Sequence, residues 1–331
     1  MADNVIKEHY VPRRYLKRFA NGDKFFVYDK EKKQQRPGNI ADYACERYFY
    51  DVDFDALKNE ILEDNPEFKF DPEIEEALQH IDRQHIEHWF GQNVETWLFN
   101  PIDKIITTYT MCNPQKINLI EVLTNDEMNF LSLYMATQFV RSKEFRESIT
   151  EMYEQLPLLL MKKMAKTQED KEVLELIELK VKNENHKKLF HAQFLMDEEA
   201  MATFAIRFRE KIWIIGYNQT DIPLFTSDNP IVKFGHRGMH GFNSKGIEIF
   251  FPISTNLVLI LKDKEDFWFD SEFYNHFISL APDEVAFYNS LQVQQSYRYI
   301  FNKAEDFSLV NGIMKRNPLL SDIKHKRFLM S

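Results

Sequence analysis

Hydrophobic and polar positions change period several times along the chain, and each change predicts a different element. Lys24-Phe25-Phe26-Val27-Tyr28-Asp29 reads as a β-strand, a polar turn runs from Lys32 to Gly38, and an extended piece near Tyr43 to Tyr50 completes an expected hairpin. Asp51, Asp53 and Asp55 mark its exit as a solvated loop. From Pro72 to about Met111 the period becomes helical through Ile74, Leu78, Ile81, His85, His88 and Trp89, with Gly91 as a candidate kink and Pro101 opening a further segment that Asn113-Pro114 ends. Asn125 to about Gln155 carries Phe130, Leu131, Leu133, Tyr134, Met135, Ala136, Phe139 and Val140 with little polar face, which predicts the central helix of the core. Residues 168 to 200 are charged and amphipathic, with Val173, Leu176, Ile177, Leu179 and Val181, and predict a helical excursion packed on the outside.

Beyond Phe204 short β-type runs take over, at 211–215, 222–226, 230–234, 247–251 and 256–261, and predict an antiparallel sheet of hairpins. A helical pattern returns from Asp283 to about Lys303 and ends in a basic tail, Lys324-His325-Lys326-Arg327. The expected fold is α+β in a single compact domain over residues 1–331. Its subregions are a helix plus hairpin (1–55), a helical part (72–203) and a sheet with a closing helix (204–331).

Composition sharpens this picture in two places. Only 9 glycines among 331 residues favour helix over Gly-rich nucleotide loops, and 29 phenylalanines with 14 tyrosines supply an aromatic core or groove. No Gly-x-x-x-x-Gly-Lys loop, Gly-x-Gly-x-x-Gly fingerprint or Gly-x-Ser-x-Gly elbow occurs, which argues against a P-loop ATPase, a Rossmann oxidoreductase and an α/β-hydrolase. Cys45 and Cys112 stand alone and read as reduced thiols, and no stretch reaches the ~20 apolar residues of a membrane span, so a cytoplasmic protein without a membrane partner is expected. No cofactor and no metal are expected either, because no ligand spacing recurs; His80, His85 and His88 lack the zinc-binding arrangement. Glu87 and Glu95 flank Trp89 and form a carboxylate pair of low weight for acid–base work.

The net charge is −10, which excludes a basic coat for nucleic acid but leaves room for a local pocket. His9-Tyr10-Val11-Pro12-Arg13-Arg14-Tyr15-Leu16-Lys17-Arg18-Phe19 opposes that balance. Pro12 suits the first position of a helix, Tyr15, Leu16 and Phe19 share its apolar stripe, and His9 falls just outside a helix start that favours anions. His9 equally suits a capping or packing role; Arg13 and Arg14 nearby would hold it neutral enough to take a proton. Gln138 and Arg141 lie on the apolar helix, where a guanidinium needs a partner: a bound anion, or a core carboxylate in a structural ion pair. Thr226-Ser227-Asp228-Asn229-Pro230 is first of all a turn former, and alternatively places Asp228 in a cleft as a base or as the group orienting His9.

Taken together, His9-Tyr10-Val11-Pro12 with Tyr15-Leu16-Lys17-Arg18-Phe19, Tyr48-Phe49-Tyr50, Gln138-Phe139-Val140-Arg141, Thr226-Ser227-Asp228-Asn229-Pro230, Pro252-Ile253-Ser254, and later Asn289 and Arg298-Tyr299 resemble, in order and spacing, the family catalogued as domain of unknown function 4238. The resemblance implies bacterial origin and an association with anti-phage defence, and no assigned activity. The leading expectation is a defence or toxin-like effector acting on a phosphate-bearing substrate, nucleic acid above all, as a nuclease or related hydrolase. His9, Asp228 and Arg141 would be catalytic, and Tyr10, Arg13, Arg14, Gln138 and Asn229 would bind substrate. The alternative is a non-catalytic recognition module acting through a protein partner, with residues 168–200 as its surface. An open cleft shared by His9, Arg141 and Asp228 favours catalysis; a sealed Arg141–Asp228 pair favours the alternative.

Overall fold

The computed structural model describes residues 6–73, 76, 84–113, 116–325 and 327. Ile74, Leu78, His80, Ile81, Pro114 and Lys326 lie outside the described residues. The chain starts with a strand rather than with the helix: β1 (Lys7–His9) precedes a single helical turn, Arg13–Leu16, that a 3₁₀ turn extends to Phe19. Pro12 sits one position earlier than expected, extended at φ −58° and ψ 138°. The expected apolar stripe is present, since Tyr15, Leu16 and Phe19 are fully buried.

β2 (Lys24–Asp29) falls where the pattern placed it, but its partner is β3 (Gln34–Asn39), drawn from residues that read as a turn. β3 is an edge strand, exposed over most of its length, and an edge tolerates Pro37 because its missing N–H deprives no neighbour. The expected second piece of the hairpin instead yields β4 (Cys45–Arg47), which pairs with β1, His9 opposite Cys45.

The helical middle runs through Phe54–Asp64, His85–Trp89, a π-type turn at Phe90–Val94 containing Gly91, and Asn100–Met111 with Pro101 in its first turn. The long central helix is two: Asn125–Val140 and Lys143–Met164. Ser142 causes the break, since its hydroxyl caps the second helix by accepting the Phe145 N–H at 3.1 Å. Arg141 therefore occupies a corner between helices. Gln168–Glu175, Glu184–Met196 and Glu198–Arg209 follow, the last packing along Asn125–Val140.

The C-terminal part forms two sheets rather than one. β5 (Ile212–Asn218), β7 (Val232–Gly235), β8 (Ile247–Ser254), β9 (Leu257–Lys262) and β10 (Phe277–Leu280) make a five-stranded sheet in the order β10-β5-β9-β8-β7, with β10 parallel to β5. β6 (Thr226–Ser227) and β11 (Tyr299–Asn302) instead join β2 and β3 in the order β3-β2-β11-β6. The closing helix stops at Gln295, and Tyr299-Ile300-Phe301-Asn302, expected as helix, has a strand on each side to pair with. The result is the expected α+β class with a mixed, split sheet.

Tyr15 ties these layers together. Its ring stacks on Phe251 at 5.3 Å, and its hydroxyl bonds to Thr226 Oγ1 at 2.8 Å and donates to the Pro252 carbonyl at 2.7 Å, one partner in each sheet. The opening segment is thereby fixed against the core, with Trp213, Tyr134 and Phe251 all excluded from solvent. No helix among the described residues is long and apolar enough to cross a membrane.

Candidate functional site

Strand alternation sorts the opening residues. Glu8 points inward and is fully buried, whereas Lys7 and His9 turn to the other face, where with Arg13, Ala41, Glu87 and Glu95 they line a cleft of about 340 Å³. Arg13 comes from the short helix, Glu87 from His85–Trp89, and Glu95 from the residue after the π-type turn.

Arg141 lies behind the cleft, wholly buried at the helix break. Its Nε donates to the Tyr50 hydroxyl at 3.3 Å, its Nη2 donates to the His9 carbonyl, and its guanidinium covers the Phe90 ring at 4.0 Å. Nη1 is 3.6 Å from Glu95 Oε1, an ion pair too long to be a hydrogen bond. Among the described residues, His9 Nε2 and Glu87 Oε2 of the cleft and Arg141 Nη1 behind it are buried polar atoms without a hydrogen-bond partner. Such atoms are rare in folded proteins, and two of them on residues that line one cleft call for a ligand, a reaction or bound solvent.

The electrostatics set the protonation states. Burial, then the Arg13 charge, lowers the His9 imidazole to about 4, and Arg141 and Lys7 push the same way. Burial raises Glu87 to about 7 against the pull of Arg141, and Glu95 and Asp51 raise it further. Near neutrality the cleft therefore holds an unprotonated histidine beside a carboxyl able to carry a proton. Lys7, held by Asp42 at 2.9 Å, and Arg13, which forms no ion pair among the described residues, add positive charge. Beneath them burial pushes Glu8 well above the usual carboxylate range. Glu8 Oε2 accepts the Tyr50 N–H at 2.7 Å, Glu8 meets the Asp51 side chain, and one shared proton would satisfy the oxygens that otherwise lack a donor, Glu8 Oε1 and Asp51 Oδ1.

The residues singled out from the sequence divide among three places. His9 and Arg13 reach the cleft, and Arg141 braces it from behind. Gln138 and Tyr10 are buried beside it, Gln138 Nε2 donating to the Tyr10 carbonyl at 3.0 Å. Arg14 is spent elsewhere: it pairs with Asp103 at 2.5 Å, donates to the Glu95 carbonyl and covers the Phe99 ring at 4.6 Å. Arg18 also grips Asp103. The single helical turn is too short to supply the dipole expected at its start.

Asp228 does not orient His9. Its Oδ2 accepts the N–H groups of Arg298 and Tyr299, both at 2.8 Å, which locks the turn after β6 onto β11. Burial raises it to about 6, and the buried Lys30, whose Nζ donates to the carbonyls of Val293 and Ser296, offsets part of that rise. Asn229 donates to the Gln295 carbonyl at 2.8 Å and lines a different cavity. Neither Arg141 nor Asp228 lines the His9 cleft, and among the described residues they form no ion pair with each other. Lys7 and Glu8 escaped the sequence reading, because Lys7-Glu8-His9 is a run of polar residues that carries no period-2 signal for the strand it forms. Among the described residues no group of three or more His, Cys, Asp or Glu side chains is arranged to hold a metal.

The family model described as Protein of unknown function (DUF4238) matches residues 7–306, which include every residue of the cleft. The chain belongs to that family. No curated protein and no solved structure matches it.

Proposed function

We propose that the chain is a phosphodiester-directed acid–base enzyme acting on nucleic acid, in an anti-phage or toxin-like setting. The presence of His9 and Glu87, each with a buried polar atom that has no partner among the described residues, in one cleft that Lys7 and Arg13 also line is the observation that carries this reading. An attacking hydroxyl gives its proton to His9 as its oxygen bonds to phosphorus, and Glu87 supplies a proton to the oxygen that leaves. Arg13 and Lys7 hold the phosphate and stabilise its developing negative charge, and Arg141, buried behind the cleft, positions His9 by donating to its carbonyl. The defence setting rests on the family resemblance alone.

The test is incubation of purified protein with labelled RNA and DNA, with and without Mg²⁺ and EDTA. Wild type is expected to cut one of them, and His9→Ala and Glu87→Gln to lose that cleavage while unfolding at the same temperature as wild type. Full activity in His9→Ala overturns the assignment.

One observation favours the recognition module as a second reading. Leu176 is 88% exposed, Met164 79% and Val173 54%, an apolar surface around the charged excursion that suits a protein partner. Tight binding of nucleic acid or protein with no turnover would select that reading.

A further inference from the structure

A second and larger cavity, of about 780 Å³, lies apart from the His9 cleft and shares none of its lining residues. Its size falls within the roughly 300–1,000 Å³ of small-molecule sites. Phe139, Phe145, Phe194, Phe204, Phe234 and Phe242 give its wall a strongly aromatic part. Into this apolar wall the sequence places Lys233, in the middle of the edge strand β7, where a hydrophobic residue would pack at lower cost.

Lys233 is held firmly. The Gln295 side chain takes both of its backbone groups, accepting the N–H at 3.0 Å and donating to the carbonyl at 2.7 Å, in the manner of a missing neighbouring strand. Its ammonium lies 4.4 Å from the Phe242 ring centre and 5.9 Å from that of Phe139. Among the described residues no carboxylate pairs with it. Glu144, which also lines the cavity, is engaged by Arg327 at 2.9 Å. Burial alone lowers Lys233, to about 8. Aromatic faces attract a cation without neutralising it, so the cavity, whose lining Glu144 and Arg327 pair with each other, combines a large apolar body with a Lys233 ammonium that no carboxylate pairs with among the described residues.

We infer that this cavity binds an apolar monocarboxylic acid, its carboxylate on the Lys233 ammonium and its hydrocarbon body among the phenylalanine rings. Isothermal titration of the full chain with decanoate and with decanol tests this, because the two share a tail and differ in charge. Wild type is expected to bind decanoate at least about tenfold more tightly than decanol. Lys233→Met should abolish that preference while leaving decanol binding in place, and Lys233→Arg should retain it. Lys233→Gln replaces the methionine variant if the latter fails to show a wild-type unfolding transition. Equal affinity of wild type for the two compounds, no decanoate binding up to about 1 mM, or a preference that survives loss of the charge overturns the inference.

Discussion

Replacing Arg141 with methionine should destabilise the fold far more than any surface substitution would. The variant loses the bond from Nε to the Tyr50 hydroxyl, the bond from Nη2 to the His9 carbonyl, the 3.6 Å ion pair with Glu95 and the contact on Phe90. Buried charge-assisted hydrogen bonds contribute about 1.5–3 kcal/mol each, and a desolvated cation over an aromatic ring about 2 kcal/mol. Glu95 is 29% exposed, so water screens its share, and the methionine chain preserves part of the packing. The net cost should fall at about 3–5 kcal/mol, the range for a buried pair that loses one partner. At roughly 2 °C per kcal/mol for a chain of this size, Tm should drop by about 6–10 °C. Urea unfolding followed by circular dichroism gives the free energy and calorimetry the midpoint. A loss below about 1 kcal/mol, typical of exposed pairs, would refute the reasoning and return Arg141 to the role of a dispensable substrate contact.

Two further outcomes follow from the buried carboxyls. Glu8 has its folded pKa raised above the ordinary 4.5, so its stabilising contribution is fully present below that value and is lost as pH rises through the folded pKa. Wild type should therefore have a lower urea midpoint at about pH 8 than at about pH 5, and Glu8→Gln, a mimic of the protonated acid, should flatten that decline; parallel curves for the two proteins would contradict the shared-proton arrangement. Asp228→Ala leaves the Arg298 and Tyr299 N–H groups without an acceptor and Lys30 without its nearby anion, and should cost about 2–4 kcal/mol. Asp228→Asn, whose amide oxygen can accept the same two bonds, should cost much less, and equal losses in the two variants would show that the turn depends on the charge.

The sequence made the core helix, β2 and most of the β-type runs legible, because each is a local period with large apolar side chains. What it hid was decided by pairing at a distance. Gln34–Asn39 carries Pro37 and Gly38 and becomes a strand only because β2 offers it an edge. Tyr299–Asn302 looks like the tail of a helix until β2 and β6 bracket it. The break at Ser142 was readable as a capping residue within the polar run Arg141-Ser142-Lys143-Glu144, yet good helix formers on both sides let the pattern be read through it. At the site, His9 and Arg13 stood out by charge, whereas Glu87 and Glu95 were visible only as a carboxylate pair beside Trp89, and the burial of Glu87 and the nearness of both to Arg141 come from packing at a distance. Asp228 shows the opposite case, a residue of chemical type whose Oδ2 is taken by two backbone amides and whose buried Oδ1 has no partner among the described residues but does not belong to the His9 cleft.

The pH dependence of nucleic-acid cleavage by wild-type protein tests the central claim most directly. With His9 acting as base and its folded pKa at about 4, and Glu87 acting as acid with a pKa of about 7, kcat/KM should rise through the lower value, hold a plateau, and fall through the upper one. Glu87→Gln should remove the falling limb together with most of the rate. A profile that instead climbs through neutrality, or a falling limb that survives in Glu87→Gln, would contradict the assignment of His9 and Glu87 as the working pair.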